Sequence, residues 1–227
     1  MHTNMWRPAV LAAAALALTA CGTPHNGATP MAAGPLKKTD LDQIVARQQG
    51  RTPASFAAFL DQVAQDRPAL RPLVARYAKD KSALAGDDLQ TVSRLLGLHN
   101  RLLNQAGVID ATARMVALPT ARTATPPHED PNMIALGQLV AKMAGDFGLQ
   151  YRNVDNRVFE VKLPGTGPDE FGILTHGDVV PAVTSEWVLD DGTQLDPFKL
   201  TRVGGLLYGR GSIDDKGSIA TVLYAMK

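Results

Sequence analysis

The sequence predicts an α/β fold, preceded by a helical extension, and three observations carry that reading. Apolar residues recur at helical spacing through residues 39–106 and again from 133 to 148. The period then switches from helical to alternating at Val158–Leu163. Beyond it, a short apolar run, Phe171-Gly172-Ile173-Leu174-Thr175, leads directly into polar residues, as a buried strand does at the ligand-binding end of a layered sheet.

The elements follow in chain order. Val10 to Ala20 is an apolar run behind Arg7, too short for the roughly 20 apolar residues that span a bilayer. It fits a secretory signal. Leu18-Thr19-Ala20-Cys21 is similar to the bacterial lipobox, which implies a signal peptide over 1–20 and a lipid anchor on Cys21. Gly22 after the cysteine resembles the outer-membrane-sorted class, so the expected location is the periplasm, membrane-anchored. Residues 21–38, rich in Gly, Pro, Ala and Thr, read as a flexible tether.

The helical extension covers 39–106. Thr39 or Asp40 caps a first helix, Pro53 opens a second, and Asp87-Asp88 begins a longer third with Leu89, Val92, Leu95, Leu96, Leu102 and Leu103. His99 in that helix reads as a partly buried histidine, not a ligand. Residues 107–133 form a turn-rich stretch punctuated by Pro119, Pro126 and Pro127. His128-Glu129-Asp130 reads as a solvated loop, because adjacent side chains on extended backbone point different ways. Ile134, Leu136, Leu139, Val140, Met143 and Phe147 give an amphipathic helix closed by Gly148. Leu206-Leu207-Tyr208 is a short strand, and Ser218–Met226 a helix.

Charge and cysteine content exclude several functions. The formal net charge is +1, and Lys37-Lys38 is the longest basic run, so no footprint for nucleic acid is present. The single cysteine offers neither an internal disulfide nor a thiolate metal site.

The chemistry concentrates in residues 171–217. His176 and Asp178, two apart at a strand end, share a face. A histidine bound to metal usually donates its other ring N–H to a carboxylate. Asp214-Asp215 follows the glycine-rich Gly209-Arg210-Gly211 and stands at a helix start. One carboxylate, with two oxygens, reaches two metals about 3.5–4 Å apart.

Gly172 to Pro181 resembles the first signature of the co-catalytic zinc peptidase family of acetylornithine deacetylase, succinyl-diaminopimelate desuccinylase, carboxypeptidase G, aminoacylase and the carnosine-type dipeptidases. Trp187, Asp196-Pro197-Phe198, Gly205 to Gly211 and Asp214-Asp215-Lys216-Gly217 resemble its second block in order and spacing. Val179-Val180-Pro181 with Asp196-Pro197-Phe198 is closest to the dipeptidase branch.

The resemblance implies that residues 107–227 are the N-terminal part of a zinc-peptidase catalytic domain, a mixed sheet flanked by helices, ending before the lid domain. It implies that His176 binds one zinc, that Asp178 orients His176 as a catalytic residue, and that Asp214 bridges two zinc ions, with cobalt or manganese as other divalent occupants. The Asp214–Asp215 peptide is often cis in such proteins. The expected reaction is metal-assisted hydrolysis of an amide bond in a small peptide. The family's Glu-Glu pair, further acid and late histidine lie beyond Lys227 in register. The expectation is therefore the front part of a longer enzyme, itself inactive. Two alternatives stand beside it: an N-acyl amino acid deacylase of the same family, and a non-catalytic binding lipoprotein. Oligomeric state is not legible.

Overall fold

A computed structural model describes residues 36–48 and 50–227; the lipobox and Cys21 lie outside them. The first helices are set by local caps. Asp40 accepts the Lys37 N–H at 2.8 Å at the start of α1 (Lys38–Gln48). Ser55 accepts the Ala58 N–H at 3.1 Å and starts α2 (Phe56–Asp66), so Pro53 stands before the cap and not within the helix. Arg67, past the end of α2, donates to Asp40 at 2.8 Å and to Gln43 at 2.6 Å, tying α2 back onto α1. The backbone N–H of Lys37 and this guanidinium hold the Asp40 carboxyl below its usual range. A proline-led turn then passes the chain into α3 (Arg71–Lys79).

The long α4 (Gly86–Val116) has 31 residues. Its first half buries Val92, Leu95 and Leu98 against Ile44, Phe59, Leu60, Val63, Leu70 and Leu73. Phe59 is fully buried, its ring 4.9 Å from that of His99. The His99 Nε2 donates to the Pro53 carbonyl at 2.8 Å, so this histidine is a satisfied core residue.

The helix continues past residue 106, where the sequence suggested turns. Ala111, Met115 and Val116 are buried, and burial outweighs the weak propensity of Gly107, Val108 and Thr112. The break comes at Pro119, which disfavours helix at the residue before it. Thus one helix serves two apolar clusters. The second joins Ala111 and Met115 to Met133, Leu136, Val140 and Met143 of α5 (Pro131–Asp146) and to Ala220 and Leu223 of α6 (Lys216–Met226). Tyr224 of α6 packs on Gly107, where a Cβ would lie 2.4 Å from its hydroxyl. Asn100 donates to the Tyr224 carbonyl at 3.1 Å.

Asp130 caps α5, accepting from Asn132 N at 2.7 Å and Met133 N at 3.4 Å, with Pro131 as first helical residue. Gly148, at φ +70°, ends the turn that follows. β1 (Gln150–Val154) and β2 (Val158–Lys162) form an antiparallel hairpin with Tyr151 opposite Val161 and Asn153 opposite Phe159. A second antiparallel pair joins β3 (Thr201–Val203) to β4 (Leu206–Tyr208).

The fold therefore mixes helices with small antiparallel sheets, in keeping with part of an α/β domain. A second expectation is also corrected. Phe171–Thr175 is not a buried strand: Leu174 is 95% exposed and Phe171 76%. A strand of that composition needs a neighbour on each side. Among the described residues the pairing nearest to it is an isolated parallel bridge, Ala121 to Val179.

Candidate metal centre

Two glycine-containing segments build the site. In the first, Gly177 lets His176-Gly177-Asp178 lie directly on α5, since a Cβ there would be 2.4 Å from Leu136 Cδ2. Thr120 Oγ1 donates to the Gly177 carbonyl at 2.6 Å, and the Val179 N–H donates to the Thr120 carbonyl at 3.2 Å. His176 and Asp178 therefore sit on an unpaired extended segment held from the side by residues 120–121, and not on a ladder strand.

In the second, residues 209–217 turn back on themselves. Gly211 has φ +86°, in the region that favours glycine, and the Gly217 N–H donates to its carbonyl at 3.3 Å. The Asp214–Asp215 peptide is cis, as the motif resemblance implies. Asp215 occupies the cap position of α6, yet its side chain does not cap the helix. Its Oδ2 instead accepts the His176 N–H at 3.4 Å.

The segments meet at His176. Nε2 lies 2.9 Å from Asp214 Oδ1. Nδ1 lies 3.0 Å from the Asp178 carbonyl and 3.3 Å from Asp178 Oδ1. A carbonyl only accepts, so Nδ1 carries a proton. A carboxylate likewise only accepts, so Nε2 donates to Asp214 Oδ1 and the ring is held as imidazolium in the absence of a metal. The Asp214 carboxylate draws the His176 pKa up; partial burial opposes this, and the Asp178 carbonyl adds to it. Arg122 donates from Nε to Asp178 Oδ2 at 3.2 Å, leaving Oδ1 towards the imidazole.

All three residues singled out from the sequence, His176, Asp178 and Asp214, are thus brought together. Among the described residues, no group of three or more His, Cys, Asp or Glu is arranged to hold a metal. The other candidates lie elsewhere: His99 is in the first core, and His128 contacts Glu129 at 3.3 Å on the loop before α5. Sequence reasoning missed Thr120, Arg122 and Lys216 as parts of this neighbourhood. Lys216 was visible inside the Asp-Asp-Lys-Gly motif. It is fully buried, donates to the Leu118 carbonyl at 2.5 Å, and burial pushes its ammonium down to about 8.

Residues 172–227 match the sequence family described as Peptidase family M20/M25/M40. The Beta-Ala-Xaa dipeptidase of Lactobacillus delbrueckii subsp. lactis is 44% identical over 80 residues, 35% of this chain and 15% of that protein. The succinyl-diaminopimelate desuccinylase of Acidiphilium cryptum is 32% identical over 106 residues, 47% of this chain and 26% of that protein. The corresponding desuccinylase of Pseudoalteromonas atlantica is 44% identical over 96 residues, 40% of this chain and 23% of that protein. The chain therefore spans between 15% and 26% of the length of these relatives. No solved structure matches it. In residues 172–227, where His176, Asp178 and Asp214 converge, the chain matches the Peptidase family M20/M25/M40, and dipeptidases and desuccinylases are among its relatives.

Proposed function

We propose that this chain supplies the histidine and bridging-aspartate arm of a two-zinc hydrolase that cleaves amide bonds in small, dipeptide-like substrates. The observation that carries the reading is the direct approach of His176 Nε2 to Asp214 Oδ1, with Nδ1 turned away onto Asp178. An imidazole nitrogen and a carboxylate oxygen 2.9 Å apart are donor chemistry that zinc takes. They fit as two donors, where zinc takes three or four, so this pair is one arm of a site. Zinc held there would supply Lewis-acid activation for hydrolysis. The chain's own residues orient the donors. Asp178 holds a proton on Nδ1, so Nε2 would be the nitrogen offered to a metal, and Asp214 would offer its carboxylate beside it.

Titration of the purified chain with Zn²⁺ tests this. Binding weaker than that of a three- or four-donor site is expected, with His176→Ala and Asp214→Ala abolishing it. Asp178→Asn should weaken it about tenfold, the lower end for a partner that only orients a ligand. Unchanged zinc binding by Asp214→Ala would overturn the assignment.

The deacylase reading rests on the same site and is favoured by the identity to the two desuccinylases. Turnover of a dipeptide against an N-acyl amino acid by the longer enzyme separates the two. Turnover of either substrate by the longer enzyme also separates both readings from a non-catalytic binding lipoprotein.

The same reading places the protein in the periplasm, anchored through an acylated Cys21 at the outer membrane and tethered by residues 21–38. Its support is the lipobox-like Leu18-Thr19-Ala20-Cys21 alone. Expressed in a Gram-negative host, wild type should partition with membranes and Cys21→Ser should not. Equal partitioning would remove the anchor.

A further inference from the structure

The short segment 118–121 touches both halves of the site. On one side, Thr120 Oγ1 donates to the Gly177 carbonyl at 2.6 Å, and the Thr120 carbonyl accepts the Val179 N–H at 3.2 Å. On the other, Lys216 Nζ donates to the Leu118 carbonyl at 2.5 Å. Both sides also pack on one glycine: a Cβ at Gly211 would lie 2.9 Å from Val179 Cγ1 and 3.1 Å from Lys216 Cδ. Asn132 Nδ2 donates to the Pro119 carbonyl at 3.3 Å and anchors the segment to the start of α5.

Burial separates what holds from what is held. Thr120, Val179 and Lys216 are 3%, 5% and 0% exposed. The side chains they serve, His176 and Asp214, are 49% and 84% exposed. An exposed ion pair contributes little rigidity of its own. The 2.9 Å approach of two residues 38 positions apart must therefore be set from beneath. The Gly177 carbonyl and the Val179 N–H lie in the two peptide planes that flank Asp178, so Thr120 fixes Asp178, whose carbonyl faces His176 Nδ1 at 3.0 Å. Lys216 begins α6 one residue after Asp215. A methionine would fill its space without the desolvation cost of a buried amine. What the amine adds is one directed bond, to Leu118.

We infer that residues 118–120 form a strap that sets the separation of His176 and Asp214, with Thr120 and Lys216 as its positioning residues. What the site binds rests on the reading above; the strap rests on the buried bonds. Thr120 acts through the Gly177 carbonyl and Lys216 through the turn that carries Asp214, so neither reaches the ion itself.

The test uses the whole chain in three variants: Thr120→Val keeps the shape and removes the donor, Thr120→Ser keeps the donor, and Lys216→Met keeps the stem. Two readouts are taken on each, with circular dichroism as the check on folding. The first is the ¹⁵N resonance of His176 Nε2 in metal-free protein, which reports its contact with Asp214. The second is Zn²⁺ titration. Thr120→Val should move the resonance toward that of a free imidazole and weaken zinc about tenfold. Thr120→Ser should restore both, and Lys216→Met should act like Thr120→Val. A wild-type resonance already at the free-imidazole position would overturn the strap. So would Thr120→Val leaving both readouts unmoved, or Thr120→Ser failing to restore them. A strap-dependent resonance in a chain that binds no zinc would leave the strap standing and overturn the metal reading instead.

Discussion

A Cβ on Gly217 would lie 2.1 Å from the Ser212 carbonyl oxygen, a backbone atom that cannot swing aside. Gly217→Ala is expected to cost about 1–3 kcal/mol by forcing the Asp214 turn open, as overpacking does. Gly172→Ala, where nothing stands near the added carbon, should change stability by less than about 0.5 kcal/mol. Urea denaturation of both checks this, and equal effects would mean that the turn is not closed as described. The same scale shows what was legible in the sequence. His176, Asp178 and Asp214 were readable because they sit in compact motifs whose residue types match a donor role. Thr120 was not, because it reaches Gly177 from 57 residues away and a threonine between prolines carries no chemical signature. Lys216 was visible as a motif letter, but its full burial comes from the packing of 118–121 and Gly211 around it.

At the scale of elements, α4 joins two cores that share little else. Leu95 is fully buried in the cluster of α1–α3, and Met115 in the cluster of α5 and α6. Truncation of either to alanine should cost about 2–5 kcal/mol. The distribution of the loss should differ. Hydrogen exchange is expected to quicken in α1–α3 for Leu95→Ala and in α5, β1 and α6 for Met115→Ala. Uniform quickening of both regions by each variant would show one cooperative unit. Helical period made α5 readable, and alternation made β2 readable, because each pattern faces one core. The end of α4 was hidden because Gly107, Val108 and Thr112 are weak helix formers that only tertiary burial holds in place. The run Phe171–Thr175 misled for the opposite reason: composition specifies what a strand wants to pack against, and the described residues do not provide it.

At the scale of the whole molecule, that run combines with a nearly neutral charge. Phe171, Ile173 and Leu174 are all more than half exposed, and so are Val180, Val183, Leu206 and Ile213. Monomeric proteins rarely display much contiguous apolar surface, and a formal net charge of +1 supplies little repulsion between copies. The chain is therefore expected to bind apolar dyes and to self-associate as its concentration rises. Leu174→Lys is the informative change, because at 95% exposure the side chain makes almost no contact to lose. It should alter unfolding stability by less than about 0.5 kcal/mol. It should also lower dye fluorescence and shift the concentration at which light scattering increases. Phe171→Lys, at 76% exposure, should act in the same direction with a slightly larger stability cost. If Leu174→Lys instead unfolded the protein, the residue would be buried in solution and the description of 171–175 as an uncovered segment would be wrong. If scattering were unmoved while stability held, association would have to be sought at the exposed leucines of α4, Leu89, Leu96 and Leu103, where the same substitution can be made one position at a time.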